Sequence, residues 1–333
     1  MISKILVTGG AGFIGSHAVR ALIAAGYGVV VVDNLSKGFK AAIEPKAKFI
    51  QLDLNDQEAL EKVFAAEKIE AVLHFAGSIE VGLSMIHPEQ FFENNLLNGV
   101  KLLEAMRKNG VNKIIFSSTA AVYGNPKSVP IREDAELNPT NFYGQSKLMF
   151  EQVLKKYDEI FGFKFAALRY FNAAGADMSG QIGQAYDPPT HIIPRFVRAL
   201  LAAKNGETVD FQVNGNDYPT PDGTCIRDYI HVSDLVDAHV LALQYLFDGG
   251  ASDVFNLGNG QGFSVQEVID VAQKVSGYPL KYEFGARRAG DPARLVADAQ
   301  KARTILNWKP QYASLEDIVG SAWRWHEGHP KGY

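Results

Sequence analysis

Tyr143 and Lys147 stand four residues apart in a stretch of helical periodicity, so both side chains occupy one face of that helix. A tyrosine hydroxyl loses its proton only near a pH of about 10. A neighbouring ammonium favours the tyrosinate and makes the phenol a base for an alcohol proton. Thr119 follows an apolar run of strand length, inside the segment SSTAAVYG at 117–124. At the carboxyl end of a strand in a doubly wound sheet, its hydroxyl would face the ligand crevice. Taken alone, Y-x-x-x-K is frequent by chance and usually marks a solvated helix face. Its meaning depends on what else the chain carries.

A glycine-rich turn supplies that context. Residues 8–15 read TGGAGFIG between an apolar strand and a helical pattern. Gly10, Gly12 and Gly15 satisfy G-x-G-x-x-G, and Gly9, Gly12 and Gly15 also satisfy G-x-x-G-x-x-G. Such glycines allow a tight turn, a close approach of backbone to pyrophosphate, and close helix–strand packing. The helix that follows offers unpaired N–H groups and a positive dipole end to the phosphates. Asp33 closes the second strand, where a carboxylate accepts from a ribose 2′-OH and repels a 2′-phosphate. The expected cofactor is therefore NAD rather than NADP. Asp53, ending the third strand, is either an adenine contact or a solvated strand-end acid.

The elements that must position these groups are legible from periodicity. Apolar runs at 5–7, 29–32, 49–52, 71–75, 114–117 and 165–168 read as buried strands. Between them, 16–25, 57–66, 88–108 and 143–161 read as helices. The alternation predicts an α/β fold, a doubly wound parallel (Rossmann) sheet with right-handed crossovers. Past residue 172 the pattern loosens, with long loops at 174–191 and 214–224. The expected organisation is a dinucleotide-binding domain over 1–172 and a smaller mixed α/β lobe over 173–333, some of whose segments return to the sheet.

Composition narrows the class further. The 333 residues hold 33 Lys plus Arg against 37 Asp plus Glu, a net charge of −4, which disfavours broad attraction to nucleic acid or anionic membrane. The 14 prolines and 31 glycines are scattered, which excludes collagen-like and disordered chains. A single Cys225 excludes an intrachain disulfide and a Cys-rich zinc site, and no metal is expected. Residues 1–4 run straight into an apolar strand with no leader pattern, and no apolar run has the length of a bilayer span. A cytoplasmic enzyme is expected.

With these motifs in hand, the chain resembles the UDP-glucose (UDP-galactose) 4-epimerase family of the extended short-chain dehydrogenase/reductase superfamily. The resemblance runs from residue 4 to the end. Its most specific stretches are 8–16, VDNL at 32–35, 116–124, 143–147, LRYFN at 168–172, GNDYPTPDGTCIRDYIHV at 215–232, 256–258 and RRAGD at 287–291. It implies Thr119 and Tyr143 as catalytic hydroxyls and Lys147 as the cation that holds a ribose. Gly9, Gly12, Phe13, Ile14, Gly15, Asp33, Asn34, Asp53, Leu54, Phe75, Ala76, Asn94, Ser117 and Tyr170 fall where the family contacts NAD, together with Tyr143 and Lys147. Asn172, His191, Arg227, Arg288, Asp291 and Leu295 fall on its UDP-sugar side, with Thr119 and Tyr143 at the sugar. Two arginines suit a diphosphate because guanidinium is permanently charged and binds two oxygens at once.

Three positions depart from the best-known bacterial pattern. Ser78-Ile79 stands where many members carry a lysine near the cofactor. His191 replaces an asparagine near the pyrophosphate and is either a hydrogen-bond donor or a loop residue without a role. Leu295 replaces a tyrosine beside the sugar in hexose-restricted members. Cys225, His231, Trp323, Trp325 and His326 read as packing or structural residues.

The implied reaction is inversion at C4 of a UDP-hexose through a 4-keto sugar, for UDP-glucose and UDP-galactose and also the N-acetylated pair. A UDP-uronate 4-epimerase is the nearest alternative. A 4,6-dehydratase needs an acid and a base after the threonine, where Ala120 and Ala121 stand. An ordinary dehydrogenase would accumulate NADH, and a nucleotide sensor would not need Thr119, Tyr143 and Lys147 together. Fold-mates pair two helices per subunit, here 88–108 and 143–161, so a homodimer is expected.

Overall fold

The computed structural model describes residues 3–287 and 292–333. The chain opens with β1 (Lys4–Thr8), α1 (Phe13–Ala24), β2 (Gly28–Asp33), β3 (Lys48–Gln51), α2 (Gln57–Glu67) and β4 (Ala71–His74). Two short helices, α3 (Val81–Ser84) and α4 (Pro88–Phe91), lead to α5 (Asn98–Lys108), β5 (Lys113–Thr119), α6 (Phe142–Phe161) and β6 (Lys164–Tyr170). Six of these strands and β11 (Asp253–Leu257) form a seven-stranded sheet ordered β3-β2-β1-β4-β5-β6-β11. Each neighbouring pair is parallel.

Side-chain alternation explains why helices cover both faces. In β2, Val29 and Val31 enter one core while Val30 and Val32 enter the other. β1 divides likewise, Ile5 and Val7 against Leu6. The first core is closed by α1, through Ala18, Val19 and Leu22, and by α8 (Val232–Phe247). The second is closed by α2, α5 and α6, through Val63, Leu102 and Phe150. β-branched residues suit strands buried on both faces, which is why these runs are continuously apolar.

Strand order reverses between β1 and β4, which opens a crevice beyond their carboxyl ends. Gly9 turns the chain there at φ 72°, and a Cβ would lie 2.6 Å from the Ala76 nitrogen on β4's exit. Only glycine tolerates both conditions.

The helix expected over 88–108 is not uniform. Between α4 and α5 the residues Phe92–Leu97 form a π-helical turn. The wider turn is held from outside the helix: buried Asn95 donates 3.0 Å bonds to the Ser78 carbonyl and the Ser146 hydroxyl, and accepts from Ser78 N–H at 2.7 Å. Periodicity cannot register a distortion stabilised by partners 17 and 51 residues away in sequence.

The later chain builds small sheets. β7 (Asn172–Ala174) pairs with β10 (Tyr229–His231), and β9 (Ile226–Arg227) lies between β12 (Phe263–Ser264) and β14 (Arg294–Leu295). β8 (Gln212–Asn214) pairs with β13 (Glu283–Gly285). A third core gathers α7 (Ile192–Lys204), α9 (Val265–Ser276) and α11 (Leu315–Gly328) around Phe196, Ile269 and Ile318. The short α10 (Gln300–Ile305) packs back against β11. Cys225, Trp323, Trp325, His231 and His326 are all buried, in keeping with packing roles.

Candidate active site

The glycine turn presents an open helix end. Gly12 caps α1 with no side-chain hydrogen bond, leaving the first-turn N–H groups available to an anion. A Cβ on Gly15 would sit 2.1 Å from the Gly9 carbonyl, so that glycine serves packing. Gly12 and Phe13 line a narrow cleft together with Lys37, Phe39, Tyr186 and Tyr333. Asp33 ends β2 at its lip, accepting from Ala11 N–H at 3.0 Å and Leu35 N–H at 2.8 Å. Its carboxylate thus braces the glycine turn from the neighbouring strand. Asn34 donates to Asp53 at 2.8 Å, which brings the ends of β2 and β3 together. Leu54 is buried behind them. Phe75 and Ala76 extend β4 by donating to the Thr8 carbonyl at 3.0 and 3.2 Å. A helix start with no side-chain cap, a glycine turn open to close backbone approach and a strand-end carboxylate fit a dinucleotide diphosphate and its ribose.

Ser78 and Ile79 lie on the far side of this crevice, where Asn94 donates to the Ser78 hydroxyl at 3.1 Å. A cation reaches that side from elsewhere: Lys37, after β2, pairs with Glu80 at 3.1 Å.

At the carboxyl end of β5 the chemical groups converge. Asn141 caps α6 by accepting from Gly144 N–H at 2.8 Å, which fixes where the helix begins and hence where Tyr143 points. The Thr119 hydroxyl accepts from Ala121 N–H at 3.1 Å and lies beside the Tyr143 phenol. Burial pushes the Tyr143 phenol above its ordinary value, and the neighbouring Thr119 hydroxyl pulls it back. One turn on, Lys147 is buried and donates to the Ser117 carbonyl at 3.0 Å. Burial lowers its ammonium to about 8, so it stays mostly charged at neutral pH. Ser117 in turn bonds the Tyr170 hydroxyl across β5 and β6.

The opposite wall is built from the later chain. Arg227 on β9 stands in register with Leu295 on β14. Leu295 packs on Val122, Tyr123, Ile131 and Leu148, the cluster directly beyond Thr119. Asn172 follows β6 and donates to the Asp228 carbonyl at 2.9 Å. His191 is exposed at the start of α7, with Thr190 at 3.3 Å from its Nδ1. Arg288 and Asp291 lie outside the described residues.

Residues 5–258 match the model of the NAD dependent epimerase/dehydratase family. The chain belongs to that family. A UDP-glucose 4-epimerase of Lacticaseibacillus casei is 49% identical over 329 residues, 99% of this chain and 98% of its own. A UDP-glucose 4-epimerase crystal structure superposes with a TM-score of 0.96 at 49% identity, covering 99% of each chain. The Bifidobacterium longum enzyme, solved with NAD+ and UDP, gives 0.92 at 40% identity over 99% of this chain and 100% of its own.

Within this epimerase/dehydratase frame, several residues at the site carry no local sequence signal. Tyr186, from the long loop before α7, lies within electrostatic range of Glu80, Tyr143 and Asp33, and burial raises its phenol to about 12. Glu151, two turns past Tyr143 on the same face of α6, pairs with Arg169 on β6 and accepts from Ser118. Arg169 also donates to Tyr123 at 3.0 Å, and Tyr123 donates to Asn256 at 2.7 Å. The i+8 spacing of Glu151 from Tyr143 was available in the sequence, but nothing there identifies its partner.

Proposed function

We propose that this chain interconverts UDP-glucose and UDP-galactose by inverting C4 of the hexose, with NAD as a retained cofactor. The observation that carries the reading is the convergence of Thr119 at the end of β5 with Tyr143 and Lys147 on one face of α6, where Lys147 is tied to β5 through the Ser117 carbonyl. Tyr143 takes the proton of the sugar 4-hydroxyl and returns it after the sugar has turned over. Thr119 donates a hydrogen bond that polarises the C4 oxygen in both half-reactions. Lys147 holds a ribose hydroxyl and keeps positive charge near the phenol, which favours tyrosinate. NAD, when bound, supplies reversible oxidation at C4.

The cofactor is held by Gly9, Gly12, Phe13, Ile14 and Gly15 at the diphosphate and by Asp33 and Asn34 at the adenosine ribose. Asp53, Leu54, Phe75, Ala76, Asn94, Ser117 and Tyr170 complete its lining. Asn172, Arg227, Arg288, Asp291 and His191 hold the UDP part; apart from Thr119, Tyr143 and Asn172, residues 1–172 serve the cofactor and 173–333 the substrate. Leu295, at the sugar, leaves space for a 2-N-acetyl group, which admits UDP-GlcNAc and UDP-GalNAc as substrates.

The working unit is a homodimer. Exposed Phe92 and Leu97 beside α5 and exposed Ile160 and Phe161 on α6 support pairing of these helices with a second copy. No helix among the described residues is long and apolar enough to cross a membrane, and the chain acts in the cytoplasm.

The test is a panel of UDP-glucose, UDP-galactose, their N-acetylated forms and the UDP-uronates offered to purified protein. Interconversion within the hexose pairs is expected. Turnover of uronates alone would transfer the assignment to that alternative.

A further inference from the structure

Asp228 lies between Arg227 and the β7–β10 pair, fully buried, and every polar group it owns is used. Its N–H donates to the Leu295 carbonyl at 3.0 Å. Its carbonyl accepts from Asn172 twice, from the backbone at 3.0 Å and the side chain at 2.9 Å. Its carboxylate accepts from Asn259 N–H at 2.6 Å on one oxygen, and from Gly260 and Ala297 N–H at 3.0 Å on the other. One residue thus joins four chain segments that are far apart in sequence. Three of them carry Asn172, Arg227 and Leu295.

We infer that Asp228 is the positioning residue of the UDP-sugar subsite, setting Arg227, Asn172 and Leu295 at their mutual spacing without touching substrate itself. The inference rests on the functional reading above. Its physical basis is that a carboxylate offers only acceptors, and here each oxygen receives backbone N–H groups that no other described acceptor serves as well. A buried donor left unpaired is costly, so the three N–H groups hold their chain segments to this side chain. Gly258 shows how tightly the carboxylate is seated: a Cβ there would lie 2.5 Å from Oδ2 and 2.6 Å from the Ala297 methyl. That accounts physically for a glycine in the 256–258 stretch.

Two variants disturb the hub by independent routes. Asp228→Asn keeps the shape but turns an NH2 toward at least one backbone N–H, whichever way the amide lies. Gly258→Ala leaves Asp228 intact and displaces its carboxylate. Simple electrostatics predicts the opposite sign for Asp228→Asn, since removing a negative charge beside a diphosphate site strengthens anion binding.

The experiment measures UDP affinity by calorimetry, KM and kcat for UDP-galactose, and NAD released on denaturation, in wild type and both variants. We expect UDP dissociation constants and KM to rise about ten-fold or more, the scale of one unpaired buried donor. NAD content should stay at the wild-type level, and kcat should change by less than about three-fold, since chemistry at Tyr143 is untouched. If Asp228→Asn does not fold, Gly258→Ala carries the same test. Unchanged or tighter UDP binding in the folded variants overturns the inference, as does a parallel loss of NAD. Wild-type protein that binds no UDP overturns instead the reading on which it rests.

Discussion

Glu151 and Arg169 form a two-pronged ion pair, Nε to Oε1 at 2.9 Å and Nη2 to Oε2 at 2.6 Å, with 1% and 2% of their side chains exposed. Glu151 shares its helix face with Tyr143 and Lys147, while Arg169 precedes Tyr170 and Ser118 precedes Thr119. The pair therefore clamps α6 against β5 and β6 directly behind the chemical groups. Removing one partner of a buried pair leaves a charge without compensation and costs about 3–5 kcal/mol. Arg169→Met should lower unfolding free energy by that order in a denaturant titration. Arg169→Met/Glu151→Leu should recover much of the loss, because an apolar replacement of both carries no stranded charge. A double variant no better than the single one would refute the charge-burial account.

Tyr143→Phe removes the proposed base and keeps the ring that packs edge-on to Phe91. Loss of a positioned general base costs about 10²–10⁴ in rate. Turnover should fall by that factor while UDP affinity and melting temperature hold. A variant keeping more than roughly a tenth of wild-type kcat would remove Tyr143 from that role.

How much of this was legible beforehand follows from the range of the forces involved. Tyr143 and Lys147 were legible because both lie on one helix, where spacing alone determines which side chains share a face. The glycine turn and Asp33 were legible because a strand–turn–helix unit is local. Asp228, Tyr186 and the Arg169–Glu151 pair were not, since each acquires its role from partners on other strands or loops. The π turn at Phe92–Leu97 escaped for the same reason, Asn95 being drawn inward by Ser78 and Ser146.

Buried histidines make the fold acid-sensitive. Burial holds His17, His231, His239 and His326 down to about 4 and His74 to about 3, from 6.5. The ring nitrogens of His17 and His239 opposite their backbone bonds have no partner among the described residues, so a second proton would be buried unpaired. Unfolded chains bind these protons below pH 6.5 and the folded chain does not, so the unfolded state gains as pH falls. Each histidine should cost the fold about 1.4 kcal/mol per pH unit from 6.5 down to its own folded value. Melting temperature should drop steeply between pH 6.5 and 5, and a flat profile there would contradict the burial argument.

Leu295 gives a prediction on substrate range. A tyrosine in its place should refill the space beside the sugar and exclude a 2-N-acetyl group. Steric overlap of that kind costs about 1–3 kcal/mol, or about 5- to 150-fold in kcat/KM. Leu295→Tyr should lower the ratio of acetylated to plain substrate by that factor. An unchanged ratio would show that the pocket is open for another reason.

Oxidation and reduction at C4 are proposed to occur on one retained cofactor. The most direct measurement supplies UDP-galactose to purified protein with no added nucleotide, follows UDP-glucose and NADH absorbance together, and then quantifies nucleotide released on denaturation. A retained cofactor gives many turnovers to UDP-glucose, no net NADH, and about one NAD per chain, as a single glycine-turn site requires. Strict dependence on added NAD with stoichiometric NADH, or release of NADP, would contradict it.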